Sequence, residues 1–278
     1  MLSVVIPVRN GADVIDGMLD SLRDQIHAPD WELVVVDNGS TDDTAATVEA
    51  RGDEFELRLI SAHTRPGRHH ACNVGVRAST GEAIVFLDAD DQVEPGFLAS
   101  MQRALAAHPL VAPRLVHIRG DGTPEPAVVW QTLGVNETTF LPTAQLVGFR
   151  RSVFEALEGF DENMDFCEDT DLCWRAELAG YSIWFAPDAV VRYRQRPDLR
   201  SMFRQHYLYG QAWVRLFRKY RSLGMTRRSP REVTRDWTSL VRGSLHRSDA
   251  AARVRWVRKA GRATGRLIGS AKCRTLYL

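Results

Sequence analysis

Asp88, Asp90 and Asp91 put three carboxylates within four positions, straight after the apolar run 83–87 (AIVFL). An uninterrupted apolar run of this kind suits a strand buried on both faces of a sheet. The carboxylates then emerge together where the strand leaves the core. Crowded carboxylates repel one another unless a cation or hydrogen-bond donors offset them. Hard oxygen ligands at this spacing suit Mg2+ or Mn2+, shared with substrate phosphates. A solvated acidic turn is the plainer alternative for an isolated DADD. A second acidic group, Glu168, Asp169 and Asp171, opens a segment of helical spacing that Gly180 is placed to stop. Such residues cap a helix and complement its dipole. One of them could equally serve as a general base.

The elements that must position these groups are legible upstream. The run LSVVIPV ends at Pro7, Arg9, Asn10 and Gly11, and ELVVV ends at Asp37-Asn38-Gly39-Ser40. Helical patterns lie between the apolar runs: Val14, Met18, Leu19, Leu22 and Ile26, then a weaker one over 43–51. Strand, helix, strand, helix, strand predicts right-handed crossovers and a mostly parallel sheet. Ligands of such sheets bind at the carboxyl ends of the strands. Asp37 stands at one such end, either as a turn residue or as an acceptor for a ribose hydroxyl or a base N–H.

Taken in order, VVIPVRN, LVVVDNGSTDDT, the GxxxACNVG segment, IVFLDADD, LVGFRRSVFEALEGFDENM and CEDTDLCWRAELAGY resemble the family-2 inverting glycosyltransferases. The resemblance extends to about Tyr193, roughly two thirds of the chain. It implies a GT-A fold and transfer of one sugar from a nucleotide-diphosphate sugar to an acceptor hydroxyl. It assigns donor contacts to Pro7, Arg9, Asp37, Gly39, Arg68, Asn73, Asp88, Ala89 and Asp90. The metal ligands would be Asp90 and Asp88, with Mg2+ or Mn2+ as the cofactor. The catalytic pair would be Asp169 as base with Glu168 beside it, and Gly148, Trp174 and Asp171 would face the acceptor. The helix N-terminus is expected to keep Asp169 ionised at neutral pH. Two positions depart from the family pattern. Cys72 stands where an Arg usually precedes the Asn, and Arg68, one turn earlier, is the substitute. The stretch Val190-Val191-Arg192-Tyr193-Arg194 has arginines where many relatives have a His. His63, His69, His70 and His206 read as surface or packing residues. No QxxRW-like motif follows the catalytic segment, which favours single-sugar transfer over processive synthesis.

Charge divides the chain. Residues 1–198 carry 16 Lys/Arg against 32 Asp/Glu, and residues 199–278 carry 20 against 3. The net charges are therefore −16 and +17. This supports two domains. The first is a catalytic domain over 1–198, with a nucleotide-sugar half to about 110 and an acceptor half over 111–198. The second is a basic amphipathic helical extension over 199–278. Basic helices with aromatic faces suit an anionic membrane surface, with Trp213, Phe217 and Trp256 expected to insert. Packing against the body or a second copy, as in a homo-oligomer, is the alternative. Gly261, Gly265 and Gly269 permit close helix packing in that case. No nucleic-acid module accompanies the basic stripe, so nucleic acid is not an expected partner. No run of 18 apolar residues is present, and Pro7 and Arg9 break the first apolar segment too early for a signal peptide. Cys72, Cys167, Cys173 and Cys273 lack zinc spacing, and reduced thiols fit a cytoplasmic enzyme peripheral to the membrane, with a lipid-linked or cell-envelope acceptor. Two rivals remain. A nucleotidyltransferase would want a Gly- and basic-rich loop after the first strand, where 7–11 has one Arg and one Gly. A non-catalytic binding protein of the same fold would not require the acidic groups.

Overall fold

The computed structural model describes residues 1–118, 140–196, 198–245 and 250–278. These divide into two compact units. One takes in the described residues among 1–135, 141–163 and 168–195; the other takes in 140, 164–167 and the described part of 196–278.

The first unit is an α/β sheet flanked by helices. Its strands are β1 (Leu2–Val8), β2 (Trp31–Asp37), β3 (Leu57–Ser61), β4 (Ala83–Phe86), β5 (Gln92–Val93), β6 (Leu110–Ile118), β7 (Gly148–Arg150) and β8 (Ile183–Arg194). They lie in the order β3-β2-β1-β4-β7-β6-β8-β5. Strands β3, β2, β1 and β4 are parallel, and β7 enters antiparallel to both β4 and β6. The helices are α1 (Ile15–Arg23), α2 (Thr44–Glu49), α3 (Arg68–Ala78), α4 (Phe97–Ala107), α5 (Arg151–Ala156) and α6 (Glu168–Leu178).

Alternation along β1 explains its uniform burial. Val4, Ile6 and Val8 join a core with Ile15, Met18, Leu19 and Leu22 of α1. Val5 joins the opposite core, with Ala71, Cys72 and Val76 of α3. Helices thus cover both faces, which is what a parallel sheet requires. Strand β1 pairs with β2 on one side and β4 on the other. The chain reverses its winding there, and the carboxyl ends of strands at such a switch point are where ligands of these sheets bind.

The second unit is helical. It contains α7 (Leu199–Tyr220), α8 (Pro230–Leu245) and α9 (Ala250–Lys272). Asp198 caps α7 by accepting from the N–H groups of Arg200 and Ser201, both at 2.9 Å. Ser229 and Glu232 exchange bonds at the start of α8 as a capping box. Helices α7 and α9 run in the same direction in close contact. A Cβ on Gly265 would lie 2.0 Å from the Tyr207 carbonyl oxygen, and one on Gly261 2.7 Å from that of Phe203. The glycines at four-residue spacing are therefore the contact stripe of α9.

This packing corrects the expected insertion of Phe217 and Trp256 into lipid. Phe217 is buried and stacks on Tyr277 with ring centroids 4.8 Å apart. Trp256 packs beside Leu240 and donates its Nε1–H to the Leu240 carbonyl at 2.8 Å. Trp213 is half-buried. Phe217 and Trp256 are thus engaged inside the unit, while Phe203 of α7 and Leu267 and Ile268 of α9 remain exposed. No helix among the described residues is long and apolar enough to cross a membrane.

Candidate active site

Arg68 is the residue around which the acidic groups gather. It begins α3 directly after Gly67, whose φ of +135° is a conformation that L side chains rarely adopt. A Cβ on Gly67 would also strike the His69 ring at 2.4 Å. The loop before it is pinned by Asn38 at the end of β2. The Asn38 side chain donates to the carbonyls of Ala62 and Arg65 at 2.6 and 2.8 Å and accepts from the Gly67 N–H at 2.7 Å. The start of α3 is thereby tied to the carboxyl end of the sheet.

From there Arg68 reaches both acidic clusters. Its Nε donates to Asp88 Oδ1 at 2.7 Å. Its Nη1 lies 3.2 Å from Asp169 Oδ1 and 3.6 Å from Glu168 Oε1. Its Nη2 is buried with no hydrogen-bond partner. Burial works against the guanidinium, but Asp88 and Asp169 outweigh it and hold the pKa well above arginine's usual value. Asp88, Arg68, Glu168 and Asp169 thus form one constellation built from residues 101 positions apart at its extremes.

Burial pushes the Asp169 carboxyl up to about 7, with Arg68 opposing the rise. Burial likewise raises Glu168, again against Arg68. Burial thus works against the expectation that the helix N-terminus keeps Asp169 ionised at neutral pH. Two consecutive left-handed residues, Phe166 (φ +62°) and Cys167 (φ +55°), lead into α6 directly before this pair. Strained backbone of this kind collects at functional sites.

Asp91 turns inward. It is 1% exposed and accepts from the Arg194 N–H at 2.9 Å, while its second oxygen is buried without a partner. Burial, with Asp88 adding to it, drives its pKa to about 9. Asp91 therefore anchors β8 through the Arg194 N–H, while Asp88 and Asp90 are both half-buried. Among the described residues no three His, Cys, Asp or Glu side chains converge as a ready-made metal cage. A Mg2+-type ion does not need one, because it is held by one or two carboxylates with waters and substrate phosphates. The pair Asp88 and Asp90 fits that donor set. Three carboxylates around a single guanidinium leave negative charge that a divalent cation would offset.

The remaining expected donor residues line the same strand ends. Pro7 is buried near the end of β1, and Arg9 and Asn10 follow it in the open. Asp37 accepts from the N–H and Oγ of Ser40 at 3.0 and 2.5 Å, so its turn role is realised. Gly39 has φ +78° in that turn. Asn10 bridges the two loops by accepting from the Thr41 N–H at 2.8 Å. Ala89 is buried between Asp88 and Asp90 in the chain.

Other expected site residues are engaged in packing and internal hydrogen bonds. Asn73 is buried and bonds to the Phe160 main chain in both directions, at 2.9 Å each, and to Glu162 at 3.0 Å. It fastens α3 to the 160–162 segment, and its hydrogen-bonding groups are all engaged. The acceptor-facing expectations need correction. Asp171 is fully buried and accepts from Arg175 Nε at 2.9 Å. Trp174 is fully buried, with Nε1 donating to the Leu141 carbonyl at 2.9 Å. Gly148 lies in β7, where a Cβ would meet Met101 at 2.7 Å. All three are packing residues. Cys72, also buried, has a thiol pKa raised by burial. Sequence reasoning missed Asn38 and Glu162. Asn38 was visible only as turn chemistry. Glu162, which also meets His70 Nδ1 at 3.0 Å, gave no local signal.

The model of Glycosyl transferase family 2 matches residues 3–157. The pre-mycofactocin glycosyltransferase of Mycobacterium tuberculosis is 31% identical over 226 residues, 75% of this chain and 46% of that protein. This chain thus spans under half the length of that relative. The O-antigen chain rhamnosyltransferase RfbN of Salmonella typhimurium is 26% identical, over 74% of this chain and 70% of its own. Among solved structures, a mannosyltransferase from Pyrobaculum calidifontis in complex with GDP-Man and Mn2+ aligns with TM-score 0.68 and 22% identity, covering 98% of this chain and 86% of that one. S. aureus TarS 1-349 in complex with UDP-GlcNAc aligns with TM-score 0.58 and 19% identity, covering 100% and 93%. At these identities the two structures speak for the fold.

Proposed function

The chain belongs to glycosyl transferase family 2, and on that premise we propose that it transfers one sugar, with inversion, from a nucleotide-diphosphate sugar to a hydroxyl of a cell-envelope or lipid-linked glycan. The observation that carries this reading is the Arg68 bridge. It joins Asp88, next to the expected diphosphate, to Asp169, the expected base.

The chemistry divides among these residues. Asp169, with a pKa near neutrality, takes the proton of the acceptor hydroxyl as that oxygen attacks the anomeric carbon. The bond from the anomeric carbon to the phosphate oxygen breaks on the opposite face. Arg68, whose Nη2 is buried without a partner, supplies N–H donors to the departing diphosphate. Asp88 and Asp90 would hold Mg2+ or Mn2+, which would offset charge on the leaving group when bound. Asp37 and the β1 end would hold the nucleoside. Glu168 shares the Arg68 guanidinium and tunes Asp169 by its charge. The donors in complex with two structural neighbours, GDP-Man and UDP-GlcNAc, are both nucleotide-diphosphate sugars and support this donor class.

A thermal-shift panel of nucleotide sugars with and without Mn2+ tests the reading. At 100 times its dissociation constant, the right donor should add about 2.7 kcal/mol of stability. The gain should need Mn2+ and should vanish in Asp90→Ala. A gain seen only with nucleoside triphosphates, and pyrophosphate release on turnover, would favour the nucleotidyltransferase instead.

A further inference from the structure

Among the described residues of the helical unit, basic side chains from the α7–α8 connection and from α9 crowd around Asp236 of α8. Arg228 Nη2 donates to Asp236 Oδ2 at 2.6 Å, and its Nη1 donates to the Leu278 main-chain oxygen at 3.2 Å. Lys259 Nζ lies 2.9 Å from Asp236 Oδ1, and Arg266 Nη1 lies 3.9 Å from Oδ2. Arg262, one turn before Arg266, belongs to the same group. Burial lowers its pKa; Arg258 and Arg228 lower it further, and Asp236 only partly offsets this.

These cations are well withdrawn from water. The Arg228 side chain is 7% exposed and that of Arg266 14%. Burial, with Arg228 adding to it, brings the Arg266 pKa down to about 10. The Nε atoms of both Arg228 and Arg266 are buried and, among the described residues, have no hydrogen-bond partner. An incompletely paired buried charge is costly, and a buried orphan donor adds to that cost. Planar guanidinium forks match the oxygens of a phosphate group. A phosphate has enough oxygens to satisfy several forks at once, which the two oxygens of Asp236 do not.

We propose that Arg228, Arg262 and Arg266 form a phosphate-binding site in the helical unit, with phosphate oxygens accepting from the two orphaned Nε–H groups. The site is separate from the Arg68 constellation, and the proposal does not depend on the sugar-transfer reading. The phosphate is either a free phosphate ester or the headgroup of a membrane lipid. Asp236 holds the arginines in place while the site is empty and competes for them when the anion arrives.

The test uses the whole chain in EDTA. Inorganic pyrophosphate is titrated by calorimetry. Co-sedimentation is measured with phosphatidylcholine vesicles carrying phosphatidic acid, against vesicles of equal charge carrying phosphatidylserine. Wild type should bind at least one probe saturably. Arg266→Gln and Arg262→Gln should each weaken binding by about tenfold, the effect of losing one charged hydrogen bond. Asp236→Asn, which removes the competing charge and keeps an acceptor oxygen, should bind at least as tightly as wild type. Binding of pyrophosphate alone supports a free phosphate ester. A preference for phosphatidic acid that Arg266→Gln abolishes supports a lipid headgroup. The proposal is overturned if wild type binds neither probe, if both arginine variants keep wild-type affinity, or if folded Asp236→Asn binds tenfold more weakly.

Discussion

Asp169 is where the proposed chemistry depends most on a single atom. Its burial and its contact with Arg68 hold its pKa close to 7, which suits a base working near neutrality. Asp169→Asn should lower the transfer rate by roughly 10²- to 10⁴-fold. Steady-state rates at saturating donor measure this. The residual activity should also lose the rise with pH that an ionising carboxylate gives wild type. If Asp169→Asn stays active and Glu168→Gln is dead, the base is Glu168. Asp88, Asp90 and Asp169 were legible in the sequence because each follows a clear junction, a strand end or a helix start. Their bridge through Arg68 was not, since pairing across 101 positions leaves no local pattern. Asp171 and Trp174 were misread for a related reason. Helix α6 has no strong apolar stripe, and the ion pair with Arg175 allows a carboxylate to sit on its buried face.

Helix packing carries the next level of the account. The four-residue glycine repeat in α9 was visible in the sequence as a surface for close approach, but its partner α7 was not identifiable. Gly265→Val should destabilise the helical unit by about 3 kcal/mol, because its side chain would overlap the Tyr207 carbonyl. Chemical denaturation followed by tryptophan fluorescence checks this. His206 of α7 gives this interface a pH dependence. Burial, helped by Arg262 and Arg258, lowers its pKa to about 4, and its Nδ1 is buried without a partner. The folded state therefore binds this proton less readily than the unfolded state. The stability from neutral His206 is complete above the unfolded pKa of about 6.5 and is lost as pH falls towards 4. Between those values the slope is up to about 1.4 kcal/mol per pH unit. Melting at pH 7 and pH 5 should show a smaller acid penalty in His206→Asn than in wild type; equal penalties would remove His206 as the cause. In the sheet, the parallel strands β1, β2 and β4 were legible because buried parallel strands read as largely apolar runs; β3, interrupted by Arg58 and half-buried, gave a weaker signal. The antiparallel insertion of β7 was not, because a three-residue strand carries too little periodicity.

At the scale of the whole chain, charge is the most informative property. It divides into −16 over residues 1–198 and +17 over 199–278, and this was evident from composition alone. What composition did not reveal is that Phe217 and Trp256 are consumed by internal packing. With these two rings withdrawn, attraction of the helical unit to an anionic bilayer should be mainly electrostatic, although Phe203, Leu267 and Ile268 stay exposed. Co-sedimentation with vesicles should rise with their anionic fraction and fall steeply near 1 M salt, where the screening length is about 3 Å. Binding that survives high salt would point to apolar insertion, and no binding at low salt would leave the extension a structural element. The central claim is more direct: sugar transfer with inversion, driven by the Arg68-linked carboxylates. The measurement that meets it is a 1H NMR time course of donor turnover, with the nucleotide sugar selected by thermal shift and water standing in as acceptor. From an α-linked donor the first sugar formed should be the β anomer, with release of nucleoside diphosphate, and Asp169→Asn should slow both together. An α anomer formed first, or release of pyrophosphate, would contradict the account.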